Sequence, residues 1–407
     1  MVSTPLATLV LSIAPLVALR PQTPPVVRLS LRQAIAVALE RSPDAKLAQA
    51  AVDSARAESR VARSWPALSL ASIPNTPFQY GATVPLDVTP ARFYRTRVGS
   101  LGIAAADADR RDADRTISLN VAHAFYDVLL AEDRRAIADQ RRDAVRRVLA
   151  SDSARVNAGD LAPHNLARSV VELARADASV SRAQADAETA RLALQTLLAV
   201  PLADTVVEAE GSLAYRRIEI PDDSLVATAL HERPDIAAAD RRVEQSVAFD
   251  RAARSSLIPV PQLSYVRQFG GPFESGHYYA FGVGVEVPSP GAYLGAKDRA
   301  TAGLDAARWH ARAVTSQVER DVRAALVELR IDQGLVERYE GGVLAKVAES
   351  VSAAQYAYDR GAASLLDVID AIRAQQDARD DYSLALHDYW VSIYALNAAA
   401  GSPVVRP

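Results

Sequence analysis

Cysteine is absent from all 407 residues of the sequence, and histidine is scarce. The absence of cysteine excludes disulfides, thiolate nucleophiles, cysteine-based zinc or iron–sulfur sites and a lipid anchor on cysteine. None of the six histidines lies three or four residues from another, so the helical histidine pair that binds metal is missing. Basic and acidic residues nearly balance, 46 against 49, which leaves no basic surface for nucleic acid. We therefore predict no catalytic residues, no cofactor or metal site and no nucleic-acid partner.

The sequence also lacks a hydrophobic run long enough for a transmembrane helix. The N-terminal apolar run from Leu6 to Leu19 has about 14 residues, whereas a helix that crosses a bilayer needs about 20. We interpret residues 1–25 as a signal peptide and a proline-rich linker, with a buried N-terminal helix as the alternative. Because later segments of sufficient length all contain charges, any membrane crossing would have to use β-strands.

Most of the remaining sequence is rich in alanine, with arginine, glutamate, aspartate and glutamine between apolar positions. This pattern predicts long helices. We expect a first helical region from Leu29 to about Ser64, with a break at Pro43. A very long helix should follow from about Leu101 to Ala158, and a returning helix from about His164 to Val200. The predicted fold is therefore mainly α with a small β part.

Four short motifs occur twice, in the same order along the chain. The spacing between the two copies grows from 191 to 202 residues. The matched pairs are Pro43-Asp44 with Pro234-Asp235, Pro66–Ser69 with Pro261–Ser264, Gly159 with Gly361, and Leu198–Pro201 with Ala400–Pro403. This order indicates a tandem duplication of a helical-hairpin and β-hairpin unit. We place the first repeat at 26–213, the second at 214–403 and a tail at 404–407.

The β part is predicted from the alternation of large apolar with small or polar residues. From Tyr279 to Val287 the odd positions are Tyr, Phe and Val, and the even positions are Ala, Gly and Glu. Leu263–Phe269 supplies a partner strand, whereas prolines interrupt the first-repeat region from Trp65 to about Val98. A further segment, Tyr215–Ile220, is also strand-like. Two hairpins give four strands, and because a barrel needs about eight, other copies of the chain must remove the open edges.

The turn in the second repeat is the most specific local motif. Gly361 interrupts a long helical pattern where a residue with positive φ would end a helix. Ser364 follows as a candidate N-cap, with Asp367 three residues later in a capping box. Asp367 and Asp370 are also three residues apart, so both carboxylates project from roughly one face of the returning helix. On the residues alone they are either capping and solvated charges or the lining of a site.

Together these motifs resemble those of the TolC-like outer membrane efflux proteins. The resemblance extends from Leu29 to Pro403, and the segments that carry it are Leu39–Asp44, Leu230–Asp235, Tyr358–Ala371 and Tyr394–Gly401. It implies a homotrimer in the outer membrane, in contact with its lipid, to which each chain gives four strands of a 12-stranded transmembrane β-barrel. The helices of the trimer would form an α-helical barrel, a tunnel through the periplasm. The short length is similar to that of the CzcC-like branch, which is associated with heavy-metal efflux.

The resemblance also implies a function and a site. The chain would be the outer membrane channel of a tripartite efflux system, passively conducting metal cations or small toxic compounds. The solutes would come from an inner-membrane pump of the resistance-nodulation-division type, with an ABC pump as the alternative. Asp367 and Asp370 would form rings at the periplasmic entrance that attract cations. A periplasmic adaptor, or membrane fusion protein, would dock on the hairpin tips, at Gly159, Asp160, Leu161, Arg360, Gly361, Ala362 and Ser364. The alternative is a soluble periplasmic coiled-coil adaptor or scaffold, and neither interpretation is an enzyme.

Overall fold

The computed structural model describes residues 26–74, 78–159, 162–201, 205–219, 224–269 and 276–404. The expected signal peptide and linker at residues 1–25 lie outside these ranges. Within them the chain is mainly helical, with a small β part, as the sequence predicted.

Long helices dominate the described chain. Their order is α1 (Leu31–Arg41), α2 (Pro43–Arg63), α3 (Pro90–Ala158), α4 (Pro163–Leu197), α5 (Leu225–Glu232), α6 (Pro234–Ser255), α7 (Pro290–Arg338), α8 (Leu344–Asp359) and α9 (Leu365–Ala400). The longest, α3, has 69 residues and therefore spans about 100 Å at about 1.5 Å per residue. The two ends of this helix therefore lie far apart.

Proline at the first helical position begins α2, α3, α4, α6 and α7. Its missing N–H has no intrahelical partner at that position, and its fixed φ suits a helix start. Ser42 also caps α2, since its hydroxyl accepts a 3.2 Å hydrogen bond from the backbone N–H of Ala45. The predicted start of α3 near Leu101 is wrong, because Pro90 after the extended Thr89 begins the helix well before it.

Two sheets lie in the described chain. The strands are β1 (Val26–Leu29), β2 (Ser69–Ile73), β3 (Gln79–Pro85), β4 (Val206–Ala209), β5 (Val260–Phe269) and β6 (His277–Glu286). The strands β1 and β4 form a parallel pair, and the other four form an antiparallel sheet in the order β2-β3-β5-β6. Pairing of β3 with β5, for example Val84 opposite Leu263, joins the two predicted hairpins side by side. The first hairpin is shorter, since Pro74 follows β2 and Pro85 ends β3.

The long helices pack side by side. Near the sheet, α3 packs between α2 and α6, and α6 packs on α7. Farther from the sheet, α3 packs between α4 and α9, and α9 packs on α7 and α8. The contact between α3 and α9 therefore joins the first helical hairpin to the second.

A hydrophobic core fixes α7 against α9. Its largest buried side chains are Val318, Val322, Leu326 and Leu329 of α7 and Leu386, Tyr389, Ile393 and Leu396 of α9. Burial of each large side chain contributes about 1.5–3 kcal/mol, so this seam anchors the second helical hairpin.

The predicted strand at Tyr215–Ile220 is wrong for its described part, 215–219, which has no strand pairing. Side chains of α9 take the backbone groups that a neighbouring strand would need. Tyr389 Oη donates a 2.6 Å hydrogen bond to the carbonyl of Arg216, and Trp390 Nε1 donates one of 3.1 Å to that of Ala214. The segment is therefore an extended strap across α9.

One interruption distinguishes the helix pair α7–α8 from the continuous α3. A kink at Tyr339–Val343 lies between them, and Gly342 there has φ 139° and ψ −10°. Residues that carry a side chain rarely adopt that backbone conformation, so glycine is required for this break.

Candidate functional site

The site that the sequence indicates lies at the two helical hairpin tips, where α3 turns into α4 and α8 turns into α9. Gly159 ends α3 in the left-handed conformation, with φ 82° and ψ 5°, and Pro163 begins α4. Gly361 likewise has φ 74° after α8. Both predicted glycine turns are confirmed, since positive φ disfavours other residues there. Asp160 and Leu161 lie outside the described residues.

The second tip is closed by the predicted capping box. Ser364 Oγ accepts a 3.3 Å hydrogen bond from the backbone N–H of Asp367. The Asp367 carboxylate in turn accepts bonds of 2.7 Å and 2.8 Å from the backbone N–H and hydroxyl of Ser364. These bonds lower the pKa of Asp367, so its carboxylate is ionised at neutral pH. At the same turn Ala362 donates to the carbonyl of Ala357, and the Arg360 guanidinium stacks over Tyr356 at 4.1 Å.

Asp370 has a different environment from Asp367. Its side chain is 59% exposed and lies 3.5 Å from Arg373. Arg373 also reaches α4, where its Nη2 is 2.7 Å from Glu172 Oε2. Of the two predicted entrance acids, therefore, Asp367 is held by its own turn, whereas Asp370 is a solvated charge beside an arginine.

The bond between Arg373 and Glu172 links the two hairpins. Partial burial opposes ionisation of Glu172, but hydrogen bonds and charge from Arg373 and Arg175 outweigh it and lower the pKa of Glu172. Beside this link lies a groove of about 440 Å³ between α4 and α9. Val171, Leu365 and Ile369 form its apolar part. The tips are thus two connected hairpins with a groove between them.

A second link between the hairpins centres on Asp152 of α3, which is fully buried. Its carboxylate accepts hydrogen bonds from Ser169 Oγ of α4 and, at 2.5 Å, from Tyr358 Oη of α8. Burial is the larger cause and the hydrogen bond to Asp152 the second, and together they raise the pKa of Tyr358 to about 12. Arg155 lies over the Tyr358 ring at 5.0 Å. We call the pair Asp152 and Tyr358 the tip latch.

Sequence reasoning identified Tyr358 as part of a motif but missed Asp152 and Glu172 as its neighbours in space. Both acids lie in helices that carry many other acids, and nothing local separates them from solvated charges. Their burial, 0% and 8% exposed, depends on the packing of one hairpin on the other.

The four-stranded sheet forms a second candidate surface, with two unlike faces. On β6 the side chains of Tyr279, Phe281, Val283 and Val285 are 61–81% exposed. The intervening positions are small or polar: Ala280, Gly282, Gly284 and Glu286. Paired residues continue each face, since Leu263 lies opposite Val283 and Ser264 lies opposite Gly282. An apolar patch of this kind on a folded chain marks a surface that meets lipid or another protein.

No described group of three or more histidine, aspartate or glutamate side chains is arranged to hold a metal ion. Among the described helices, none is both long and apolar enough to cross a membrane.

Curated proteins match the chain in sequence, although no family model does. The outer membrane protein TolC of Vibrio cholerae is 24% identical over 315 residues, which cover 73% of this chain and 70% of the relative. The cobalt-zinc-cadmium resistance protein CzcC of Cupriavidus metallidurans is 25% identical over 301 residues, which cover 74% and 71%. The nearly equal identities do not favour one of these relatives over the other.

The fold is also similar to that of solved outer membrane channels. The CmeC outer membrane channel of Campylobacter jejuni has a TM-score of 0.80 to this chain at 16% identity, over 92% of this chain and 86% of the other. At this identity the similarity establishes the fold.

Proposed function

The chain belongs with the TolC-like outer membrane efflux proteins, and from this premise we propose that it is the outer membrane channel of a tripartite efflux system. It is an outer membrane protein with a helical extension in the periplasm. In the proposed role it conducts solutes passively from an inner-membrane pump to the exterior. Neither relative gives reason to assign an enzymatic activity.

The observation that carries this proposal is the exposure of both faces of the four-stranded sheet. On the apolar face, the side chains of Phe281 and Val283 are 78% and 81% exposed. A hydrocarbon environment would stabilise that face by roughly 25 cal/mol per Å² removed from water. The face with Gly282, Gly284 and Glu286 suits contact with water. A strand with one lipid face and one wet face is typical of the wall of a water-filled pore.

Open edges support assembly from several copies. Among the described residues, the edge strands β2 and β6 each leave one row of backbone groups unpaired. Such groups are costly in lipid, so the sheet must close on itself through other chains. We propose the homotrimer, in which three copies of four strands give a 12-stranded transmembrane β-barrel and the helices form a trimeric α-helical barrel.

Exposed apolar side chains on the helices are consistent with the same assembly. They include Leu47 and Val61 of α2, Val170 of α4, and Val327 and Ile331 of α7, which are 51–73% exposed. When two different surfaces of the same chain meet head to tail, the copies form a closed ring if the rotation between neighbouring copies allows it.

The tips are the proposed periplasmic entrance and docking surface. Asp367 and Asp370 would lie near the entrance, and the turns from Gly159 to Leu161 and from Arg360 to Ser364 would meet a periplasmic adaptor. The proposed pump is of the resistance-nodulation-division type, with an ABC pump as the alternative. The relative CzcC is a cobalt-zinc-cadmium resistance protein, which supports metal cations as one proposed solute class beside small toxic compounds.

Membrane fractionation followed by chemical cross-linking tests the proposal. We expect the chain in the outer membrane fraction, with a cross-linked species of three chains. Reconstitution of that species in a planar bilayer should give ion conductance. A soluble monomer would contradict the channel and favour the adaptor or scaffold alternative.

A further inference from the structure

The helices nearest the sheet follow the order of its strands. Along the chain α2 leads into β2, α3 follows β3, α6 leads into β5 and α7 follows β6. Packing joins α2 to α3, α3 to α6 and α6 to α7, which repeats the strand order β2-β3-β5-β6. The two open edges of the sheet, at β2 and β6, therefore continue into α2 and α7.

The helix α2 has an apolar stripe on the side opposite α3. Val52 and Ser59 are buried on the side of α3, because Gly99 of α3 approaches so closely that an added Cβ would lie 2.9 Å from the Ser59 Cα. At about 100° per residue, Leu47 and Val61 lie about 140° and 180° around the helix from Val52. Their side chains are 67% and 73% exposed. Both therefore point outward, away from the rest of the chain.

The helix α7 has a matching stripe on the side opposite α6. Ala300 is buried, and Thr301 beside it donates a 3.2 Å hydrogen bond from its hydroxyl to Asp250 of α6. Leu294 and Trp309 lie about 120° and 180° around the helix from Ala300. Their side chains are 52% and 65% exposed. A large aromatic side chain in such a position is typical of the anchor of an interface.

The two apolar pairs have nearly the same spacing. At about 1.5 Å per residue, Leu47 and Val61 lie about 21 Å apart along α2, and Leu294 and Trp309 lie about 22 Å apart along α7. Because α2 runs toward the sheet and α7 runs away from it, the two helices are antiparallel when they meet side by side. One register then places Leu47 opposite Trp309 and Val61 opposite Leu294 at the same time.

Small residues separate the two large ones on α2. Ala50, Ser54 and Ala57 lie between Leu47 and Val61, and the steps of three and four residues are those of a coiled-coil seam. Short side chains at these positions let a second helix approach closely. They also leave room for an indole ring beside Leu47.

The charges around Trp309 have partners on α7 itself. The Arg312 guanidinium lies over the Trp309 ring at 4.6 Å, and Arg308 lies 3.3 Å from the carboxylate of Asp305. A helix that covers Trp309 therefore does not have to supply a counter-charge for Asp305.

We propose that α2 of one copy of the chain docks antiparallel on α7 of the next copy, with Leu47 against Trp309 and Val61 against Leu294. The occupant is a second copy because these two faces continue the open strand edges β2 and β6. The faces differ, so the contact is head to tail and repeats around a closed ring. This inference rests on the proposed homotrimeric channel and adds to it the register and the anchor of the helical interface.

Pairs of introduced cysteines test the register, since the chain has no cysteine. Leu47→Cys combined with Trp309→Cys, and separately Val61→Cys combined with Leu294→Cys, should form disulfides between copies when isolated outer membranes are mildly oxidised. Reducible species of two and three chains should then appear on denaturing gels. The matched control exchanges the partners. Leu47→Cys combined with Leu294→Cys would place the two cysteines about 20 Å apart, beyond the reach of a disulfide.

Chemical cross-linking of the same membranes distinguishes failure of this inference from failure of the proposed channel. If three chains cross-link but the matched cysteine pairs stay unlinked, or the exchanged pair links equally well, the register is overturned and the trimer stands. If only single chains are found, the proposed homotrimer fails and the inference falls with it.

A charge at the anchor tests the role of Trp309. Trp309→Glu should weaken assembly about tenfold in sedimentation velocity of the detergent-solubilised protein, because an aromatic anchor is replaced by a charge. His310→Glu, at the exposed neighbouring position, is the matched control and should assemble normally. Equal assembly of the two variants would overturn the assignment of Trp309. The cysteine pairs decide the question if circular dichroism shows that Trp309→Glu has lost helix.

Discussion

Tyr358 of α8 donates a hydrogen bond to the buried carboxylate of Asp152 of α3, across 206 positions of sequence. Ser169 of α4 donates to the same carboxylate, so one buried group joins three helices. A buried carboxylate without such donors is costly, which makes each donor important for the packing of the tips. The two hairpin tips of one chain are therefore fastened to each other by this latch.

Removal of the Tyr358 hydroxyl should loosen the tips. Tyr358→Phe leaves the ring in place and deprives Asp152 of one donor, which should cost about 1–3 kcal/mol. Limited proteolysis should then cut residues 359–364 faster than in the unchanged protein. The matched control is Tyr356→Phe, because Tyr356 is 58% exposed and its contact with Arg360 uses only the ring. Equal cleavage of the two variants would contradict the latch.

The charges of Asp367 and Asp370 can be separated from the capping role of Asp367. Asn at both positions keeps an oxygen acceptor for the backbone of Ser364 but removes the negative charge. If these residues line the entrance, the double variant should show weaker cation selectivity, measured from reversal potentials in a salt gradient. Asp53→Asn on α2, where the side chain is 60% exposed, is the control. Unchanged selectivity in the double variant would exclude the entrance assignment.

A charge on the exposed stripe of α7 should disrupt assembly and leave the fold intact. Ile331 is 59% exposed in the single chain. If it packs against another copy, Ile331→Asp buries a charge and should shift the cross-linked species from three chains to one. Circular dichroism should show unchanged helix. A trimer as abundant as that of the unchanged protein would place Ile331 outside the subunit interface.

The stability contributed by His387 should depend on pH. Its Nε2 is 3.0 Å from Asp127 and its Nδ1 is 2.9 Å from Asp388. Burial lowers the pKa of His387, but the two carboxylates outweigh this effect and raise it to about 9. Because the pKa in the folded state exceeds the unfolded value of about 6.5, the stabilisation is complete below about pH 6.5. It is lost as the pH rises through about 9.

Thermal unfolding of the His387→Gln variant checks this dependence. The difference from the unchanged protein should be on the order of 2 kcal/mol at pH 6 and should vanish by about pH 10. His310→Gln, at an exposed position of α7, serves as the control and should show no such trend. A difference that is independent of pH would mean that His387 acts through packing and not through charge.

The tips and the strands of the second repeat could be predicted from the sequence because their signals are local. Gly361 and Ser364 lie within one turn, and Asp367 completes the capping box three residues later. The alternation from Tyr279 to Val287 likewise needs no distant partner, and the structure confirms an antiparallel hairpin there. A periodicity of two residues in the sequence shows directly which side chains share a face of the strand.

The tip latch and the strap could not be predicted because each depends on distant segments. Asp152 is one of many acids on α3, and the approach of α4 and α8 makes it a buried acceptor. The segment at 215–219 has strand-like composition, yet Tyr389 and Trp390 take up the backbone groups beside and within it. The sequence pattern alone cannot distinguish a carbonyl that pairs with a neighbouring strand from one that accepts a hydrogen bond from a side chain.

Cysteine labelling of adjacent positions on β6 tests the central claim most directly, since the chain has no cysteine of its own. Val283 is 81% exposed on the apolar face, and at Gly284 on the other face an added side chain would meet no neighbouring atom within 4 Å. In isolated outer membranes, Gly284→Cys should react with a membrane-impermeant maleimide and Val283→Cys should not. Both should react after denaturation. Equal reaction of both cysteines in the intact membrane would contradict a strand that separates lipid from a water-filled channel.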